Sequence, residues 1–288
     1  MTHTLFLKIA LPAIAIPALI VLFLPAQVVF TYVDVVEPLF LLIGSFLALQ
    51  VSFIYRKQLR AAFVFLSIFL FIYMLAIIFF LSFSPILLPY LKTYLGEAEI
   101  FSLVQGIQFI NYAMLFLFCI YLLRVVDVTQ LNRNGWILFS LTVVFCVFVA
   151  IYPVLDLIKD ISGLSLPVIS HITIRIFDAA LIIILVPVLW LYVQYLKSRQ
   201  TQSLTFTVVI LGIVCATIFD YLFQLITTVF PRLLAEGSPL YTTIPEMQFI
   251  YGYLIIAVGL YAHRKEDTWG YNTVNKALAG ELKLVDVE

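Results

Sequence analysis

Asp220 sits deep inside the apolar stretch 204–229, with Gln224 one turn on and with Gly212 and Ala216 preceding it on the same helical face. A carboxylate at the centre of a bilayer costs about 2.5–3.5 kcal/mol on insertion scales, so it faces protein or water and finds a partner. Arg175 is the expected partner, and Asp178 shares its face at i, i+3. One guanidinium between two carboxylates leaves a negative charge or a shared proton, which is the chemistry of a ligand or proton site.

Other polar side chains fall at a similar depth. Gln105, Gln108 and Asn111 recur at three-residue spacing in the stretch 104–123, and Glu246, Gln248 and Tyr251 begin the stretch 245–263. All lie towards one end of their stretches, so a cavity lined by them opens to that end. The candidate ligand or proton site is therefore Asp220, Arg175, Asp178, Gln108, Gln248, Asn111, Gln224 and Glu246. The plain alternative is structural. Amides in membrane helices bridge neighbours for about 0.6 kcal/mol each, and Glu37, Asp178, Arg175 and Glu246 lie near stretch ends, where headgroups make charge ordinary. Gly212 and Ala216 form a small-residue stripe on which another helix packs closely.

The elements that must position these groups are membrane helices. The chain has 288 residues, 64% of them hydrophobic and 11% charged, with a mean hydropathy of +1.13. A soluble domain carries about a quarter charged residues. Apolar stretches at roughly 9–31, 38–55, 61–83, 104–123, 136–156, 173–196, 204–229 and 245–263 each approach the ~20 residues that cross a bilayer. A spanning backbone must satisfy itself inside hydrocarbon, so the fold class is an all-α polytopic transmembrane bundle of about eight spans.

Twelve of the 16 Lys and Arg residues lie on one side of this alternation: Lys8, Arg56, Lys57, Arg60, Arg124, Arg133, Lys197, Arg199, Arg264, Lys265, Lys276 and Lys283. By the positive-inside rule that side is cytoplasmic, and eight spans put both termini there. The first span, with one cation and Leu24-Pro25-Ala26, also has the outline of a signal peptide, but Leu24 is too large for the cleavage position. The expected location is an integral membrane protein of a cell or inner membrane.

Two halves of the chain resemble each other. Gln108-Phe109-Ile110 recurs as Gln248-Phe249-Ile250, and Tyr121, Arg124 and Asp127 recur as Tyr261, Arg264 and Asp267, all 140 residues apart. Glu37 parallels Asp178 at 141. An even number of spans per copy makes the copies parallel, related by an axis along the membrane normal. The expected units are 1–127 and 128–267, each of four helices, followed by a short cytoplasmic tail, 268–288.

Much chemistry has no support. Cys119, Cys146 and Cys215 are far apart inside apolar stretches and suggest neither a disulfide framework nor a zinc site. His3, His171 and His263 flank the membrane, so no haem pair, other metal or cofactor is expected. No metalloprotease pair, nucleophile elbow or phosphate-cradling loop occurs. Zero net charge gives no case for nucleic acid. Three functions stay open: a permease or receptor-like module binding a small solute, lipid or proton at an outward-facing site; an anchoring subunit of a larger membrane complex; and a lipid enzyme using Glu37, Asp178 and Glu246. Their partners are the lipid bilayer, a small-molecule ligand and another membrane protein.

Overall fold

The computed structural model describes residues 26–55, 57–78, 96–159, 166–197, 206–218 and 251–264, with scattered positions between 12 and 23. Among the described residues every regular element is helical and none is a strand. They are α1 (Ala26–Ser52), α2 (Lys57–Ile77), α3 (Glu97–Leu123), a 3-10 turn (Val128–Gln130), α4 (Arg133–Lys159) and α5 (Leu166–Lys197). α6 (Phe206–Ile218) and α7 (251–264) follow. Five stretches, Val35–Ser52, Lys57–Ile77, Ser102–Leu123, Arg133–Ile151 and Ile172–Gln194, are long and apolar enough to cross a membrane.

Two expected boundaries are corrected. The break anticipated at 32–37 is absent, because the backbone is helical from Ala26 to Ser52, through Pro38. The charged pair Asp34 and Glu37 looks like punctuation, yet neighbouring helices tolerate both the charge and the proline at depth. The loop expected at 157–172 also shrinks, since α4 runs to Lys159 and α5 starts at Leu166. Pro167 suits the first turn of α5, where no backbone donor is lost. At 1.5 Å per residue α1 is about 40 Å long and α5 about 48 Å, more than the ~30 Å hydrocarbon thickness.

α2 packs on α1 and α3, and α5 packs on α3 and α4. One continuous apolar core joins Leu41 and Val51 of α1, Leu66 and Leu70 of α2, Leu115 and Phe118 of α3, Leu181 and Leu185 of α5, Ile210 of α6 and Ile256 of α7. Serines lock the first pair of helices. Ser45 Oγ donates to the Ser67 carbonyl at 2.9 Å, and Ser67 Oγ donates to the Ser45 carbonyl at 2.8 Å. A Cβ placed on Gly44 would stand 3.9 Å from Ala257 Cβ, which brings α7 against α1.

The small-residue stripe of α6 is spent on α7. A Cβ on Gly212 would fall 2.8 Å from the Gly252 carbonyl oxygen, and one on Gly252 would fall 2.5 Å from Ala216 Cβ. At those distances only glycine lets the backbones meet. α4 is peripheral: Leu141, Val144 and Phe148 are 62%, 66% and 72% exposed, a ridge that water would not tolerate and lipid accepts. Its start is tied to α5, where Asn132 Oδ1 accepts from Gly135 N at 2.8 Å and from Trp190 Nε1 at 3.0 Å. The preceding 3-10 turn is capped by Asp127, whose carboxylate accepts from the Thr129 side chain and backbone and from Gln130. Those bonds, the Thr129 hydroxyl first, hold it below its ordinary value.

Candidate functional site

Two carboxylates are buried inside the helical bundle. Glu37 is 4% exposed on α1 and Asp178 is 2% exposed on α5. Glu37 lies fifteen residues, about 22 Å, before the end of α1, and Asp178 lies about 24 Å from the end of the spanning part of α5. Glu37 is the third residue of the stretch Val35–Ser52 and Asp178 the seventh of Ile172–Gln194, and both side chains are enclosed by protein. Their helices begin well before them, and packed helices surround them.

Tyrosines meet these carboxylates. Tyr112 Oη on α3 donates to Asp178 Oδ1 at 2.6 Å. The contact is clamped by Phe177, whose ring meets Phe109, Tyr112 and Phe116 at 5.5–6.0 Å. On the other side of the cluster Tyr253 of α7 is 7% exposed. Its ring lies 5.2 Å from that of Tyr73 on α2. Tyr112 and Asp178 form one polar contact between α3 and α5, and Tyr73 and Tyr253 form a ring contact between α2 and α7. Phenol donors aimed at a carboxylate repay part of its lost hydration.

The polar stripe of α3 divides on the same ground. At about 100° per residue, Gln108 lies between Gln105 and Asn111, some 60° from each. Gln105 is 9% exposed and Asn111 is 5% exposed. The side-chain oxygens Gln105 Oε1 and Asn111 Oδ1 are buried without a hydrogen-bond partner among the described residues. Gln108 is exposed. Its direction is not the outward one, which Leu103, Ile110 and Ile120 take. It faces the same side as buried Tyr112-flanking Leu115 and Cys119. Gln108 is thus exposed although it lies on the side of α3 that carries buried Leu115 and Cys119.

The opposite end is closed. Tyr55, in the turn after α1, shares a short hydrogen bond with His263 Nε2 near the end of α7. Phe206 meets His263 at 5.1 Å and stacks on Tyr192 at 5.3 Å, while Phe63 meets Tyr55 and Phe206 at 5.6 Å each. Phe63, Phe118, Phe206 and His263 are 2%, 2%, 8% and 5% exposed. The ends of α1, α5 and α7 and the starts of α2 and α6 meet here, with Lys57, Arg60 and Arg264 on the rim. Arg60 lies over Phe53 at 5.6 Å and Arg124 over Tyr121 at 5.3 Å.

Of the residues singled out from sequence, Asp178 and Asn111 are buried, Gln108 is exposed, and Arg175 is half-buried one turn before Asp178 on α5. Asp220, Gln224, Glu246 and Gln248 lie outside the described residues. The tyrosines were missed, since an apolar chain with 16 of them invites assignment to the interface. Among the described residues no group of three or more His, Cys, Asp or Glu converges for a metal. Compared with protein-family models, with characterised proteins and with solved structures, the chain matches none of them.

Proposed function

We propose that this chain is a multi-pass membrane permease or receptor-like module that binds a small solute or proton at the polar cluster around Asp178, reached from the end opposite the basic turns. In this reading eight crossings form two parallel four-helix units, and both termini lie on the cytoplasmic side with the basic rim. The observation that carries it is Gln108, exposed on the inward side of α3 beside buried Asn111 and half-buried Tyr112. Two further features support it: carboxylates buried within helices apolar enough to cross a membrane, where charge is costly and often functional, and the ring cluster packed at the basic end. The anchoring-subunit reading counted on Gly212 and Ala216 as an outer contact surface, and α7 occupies both.

The test is reconstitution of the full chain in liposomes enclosing a pH-sensitive dye, followed by an imposed pH step. Asp178→Asn and Asp220→Asn each abolish the pH-dependent response while leaving the folded protein intact by circular dichroism. Wild-type behaviour in both variants removes the proposal.

A further inference from the structure

We propose that the face of α3 carrying Gln105, Gln108 and Tyr112 is a proton lead to Asp178, and that Tyr112 is the relay that passes the proton across to α5. The inference rests on the reading above that Asp178 binds a small solute or proton, and deepens it by naming the proton and its way in.

The spacing sets the lead. Gln105, Gln108 and Tyr112 stand at i, i+3 and i+7, so they share one stripe of α3 about 10 Å long. Beyond Tyr112 the same stripe continues with Phe116, Cys119 and Leu123, which offer no amide or hydroxyl. Along α3 the polar groups thus run in from the Glu97 end and stop at Tyr112, short of Arg124 and the basic end.

Burial along the stripe fits water. Gln108 is exposed, and an amide set in hydrocarbon without a partner is costly, so water meets it. Gln105, one turn before it, is 9% exposed, and its Oε1 accepts no hydrogen bond among the described residues. Asn111, one turn after Gln108 and next to Tyr112 in the chain, is 5% exposed, and its Oδ1 likewise accepts nothing among the described residues. An acceptor buried in this way costs about 1–3 kcal/mol unless a donor meets it. Water admitted at the level of Gln108 is such a donor, and it bridges amides one turn apart.

Tyr112 carries the step to the next helix. Its Oη donates to Asp178 Oδ1 at 2.6 Å. Phe177, next to Asp178 in the chain, meets Phe109, Tyr112 and Phe116 at 5.5–6.0 Å and fixes the phenol ring. At about 100° per residue, Phe109 and Phe116 lie on one flank of Tyr112 and Gln108 lies on the other. One flank is therefore aromatic and the other amide. A hydronium on the amide flank gives a proton to Tyr112 Oη while Oη gives its own to Asp178 Oδ1. The hydronium becomes water, the phenol is restored and the carboxylate becomes a neutral acid; the reverse sequence unloads it. Other titratable groups lie near. Arg175 stands one turn before Asp178 on α5, Cys146 of α4 packs with Ala179, and Cys119 lies two turns past Tyr112 on α3. Tyr112 is both bonded to the carboxylate and in line with the amides.

The test follows proton uptake by the purified full chain in detergent, with a soluble pH indicator in weak buffer after a rapid acid step. Wild type takes up a proton that Asp178→Asn does not. Tyr112→Phe takes up the same proton at least about tenfold more slowly, a change in rate at unchanged extent that a purely structural role does not produce. Gln108→Leu slows uptake by a smaller factor, and Gln108→Asn, which keeps an amide there, restores most of the rate. The Gln108 pair decides the matter if Tyr112→Phe does not fold. A wild-type rate in Tyr112→Phe overturns the relay, and a wild-type rate in Gln108→Leu overturns the lead; either leaves the proposed function standing while Asp178→Asn abolishes uptake. Uptake that survives in Asp178→Asn overturns the inference outright, and the liposome response then judges the proposed function separately.

Discussion

Replacing Gly252 by alanine tests the closest helix crossing in the molecule. A Cβ at 252 stands 2.5 Å from Ala216 Cβ, 3.1 Å from its Cα and 3.3 Å from its nitrogen. Carbon atoms rest at about 3.5–4.0 Å, so α7 must withdraw from α6 by roughly 1 Å. The obstacle is backbone, which no rotamer change relieves. Overpacking of this kind costs about 1–3 kcal/mol, and the better helix propensity of alanine returns about 0.5–1 kcal/mol. The net loss is about 1–2 kcal/mol. Gly106 supplies the control, because a Cβ there meets nothing within 4 Å. Gly106→Ala gains propensity alone and stabilises by up to about 1 kcal/mol. The two substitutions therefore carry opposite signs. Thermal unfolding of the purified chain in one detergent, read by circular dichroism, compares them. Ala216→Gly in the Gly252→Ala background removes the 2.5 Å contact and restores part of the loss as a coupling energy. Equal stability of Gly252→Ala and Gly106→Ala refutes the close crossing.

Tyr112→Phe removes the donor to Asp178 Oδ1 and costs about 1–3 kcal/mol of unfolding free energy, the penalty for a buried acceptor left unmet; denaturant titration in detergent measures it. Ser67→Ala breaks the reciprocal bonds with Ser45 and costs about 0.6 kcal/mol per bond, with Ser45→Ala adding little in the double variant. Asn132→Ala deletes the cap of α4 and the Trp190 contact, a loss of about 0.5–2 kcal/mol; limited proteolysis near Arg133 rises with it.

Where the sequence was legible, hydrocarbon was the reason. α2, α3, α4 and α5 each cover a stretch anticipated from composition, because a bilayer dictates length and apolarity together. The small-residue stripe of α6 was legible as well, since Gly212 and Ala216 at i, i+4 allow one kind of contact. Which helix would fill it was not written in α6. Charge misled at Glu37. In so apolar a chain a carboxylate looks like a helix boundary, but α1 carries it eleven residues inside. Its burial is set by how α1 packs in the bundle, a property of helices far along the chain. The stripe of Gln105, Gln108 and Asn111 lies on α3, but the phase at which α3 meets its neighbours is a tertiary property. It buries Gln105 and Asn111 and leaves Gln108 exposed. Arg175 and Asp178 share a face as spacing required, while the donor found on Asp178 is a phenol from α3.

The ring cluster at the basic end sets a condition on the proposed permease. A solute entering past Gln108 would meet the rings of Tyr55, Phe63, Phe206 and His263. If the two units are parallel, half a turn about their common axis carries the mouth onto itself. Exchanging the roles of the halves would then not convert an outward state into an inward one, as it does for inverted repeats. Passage in that proposal would require the Tyr55–His263 hydrogen bond to part.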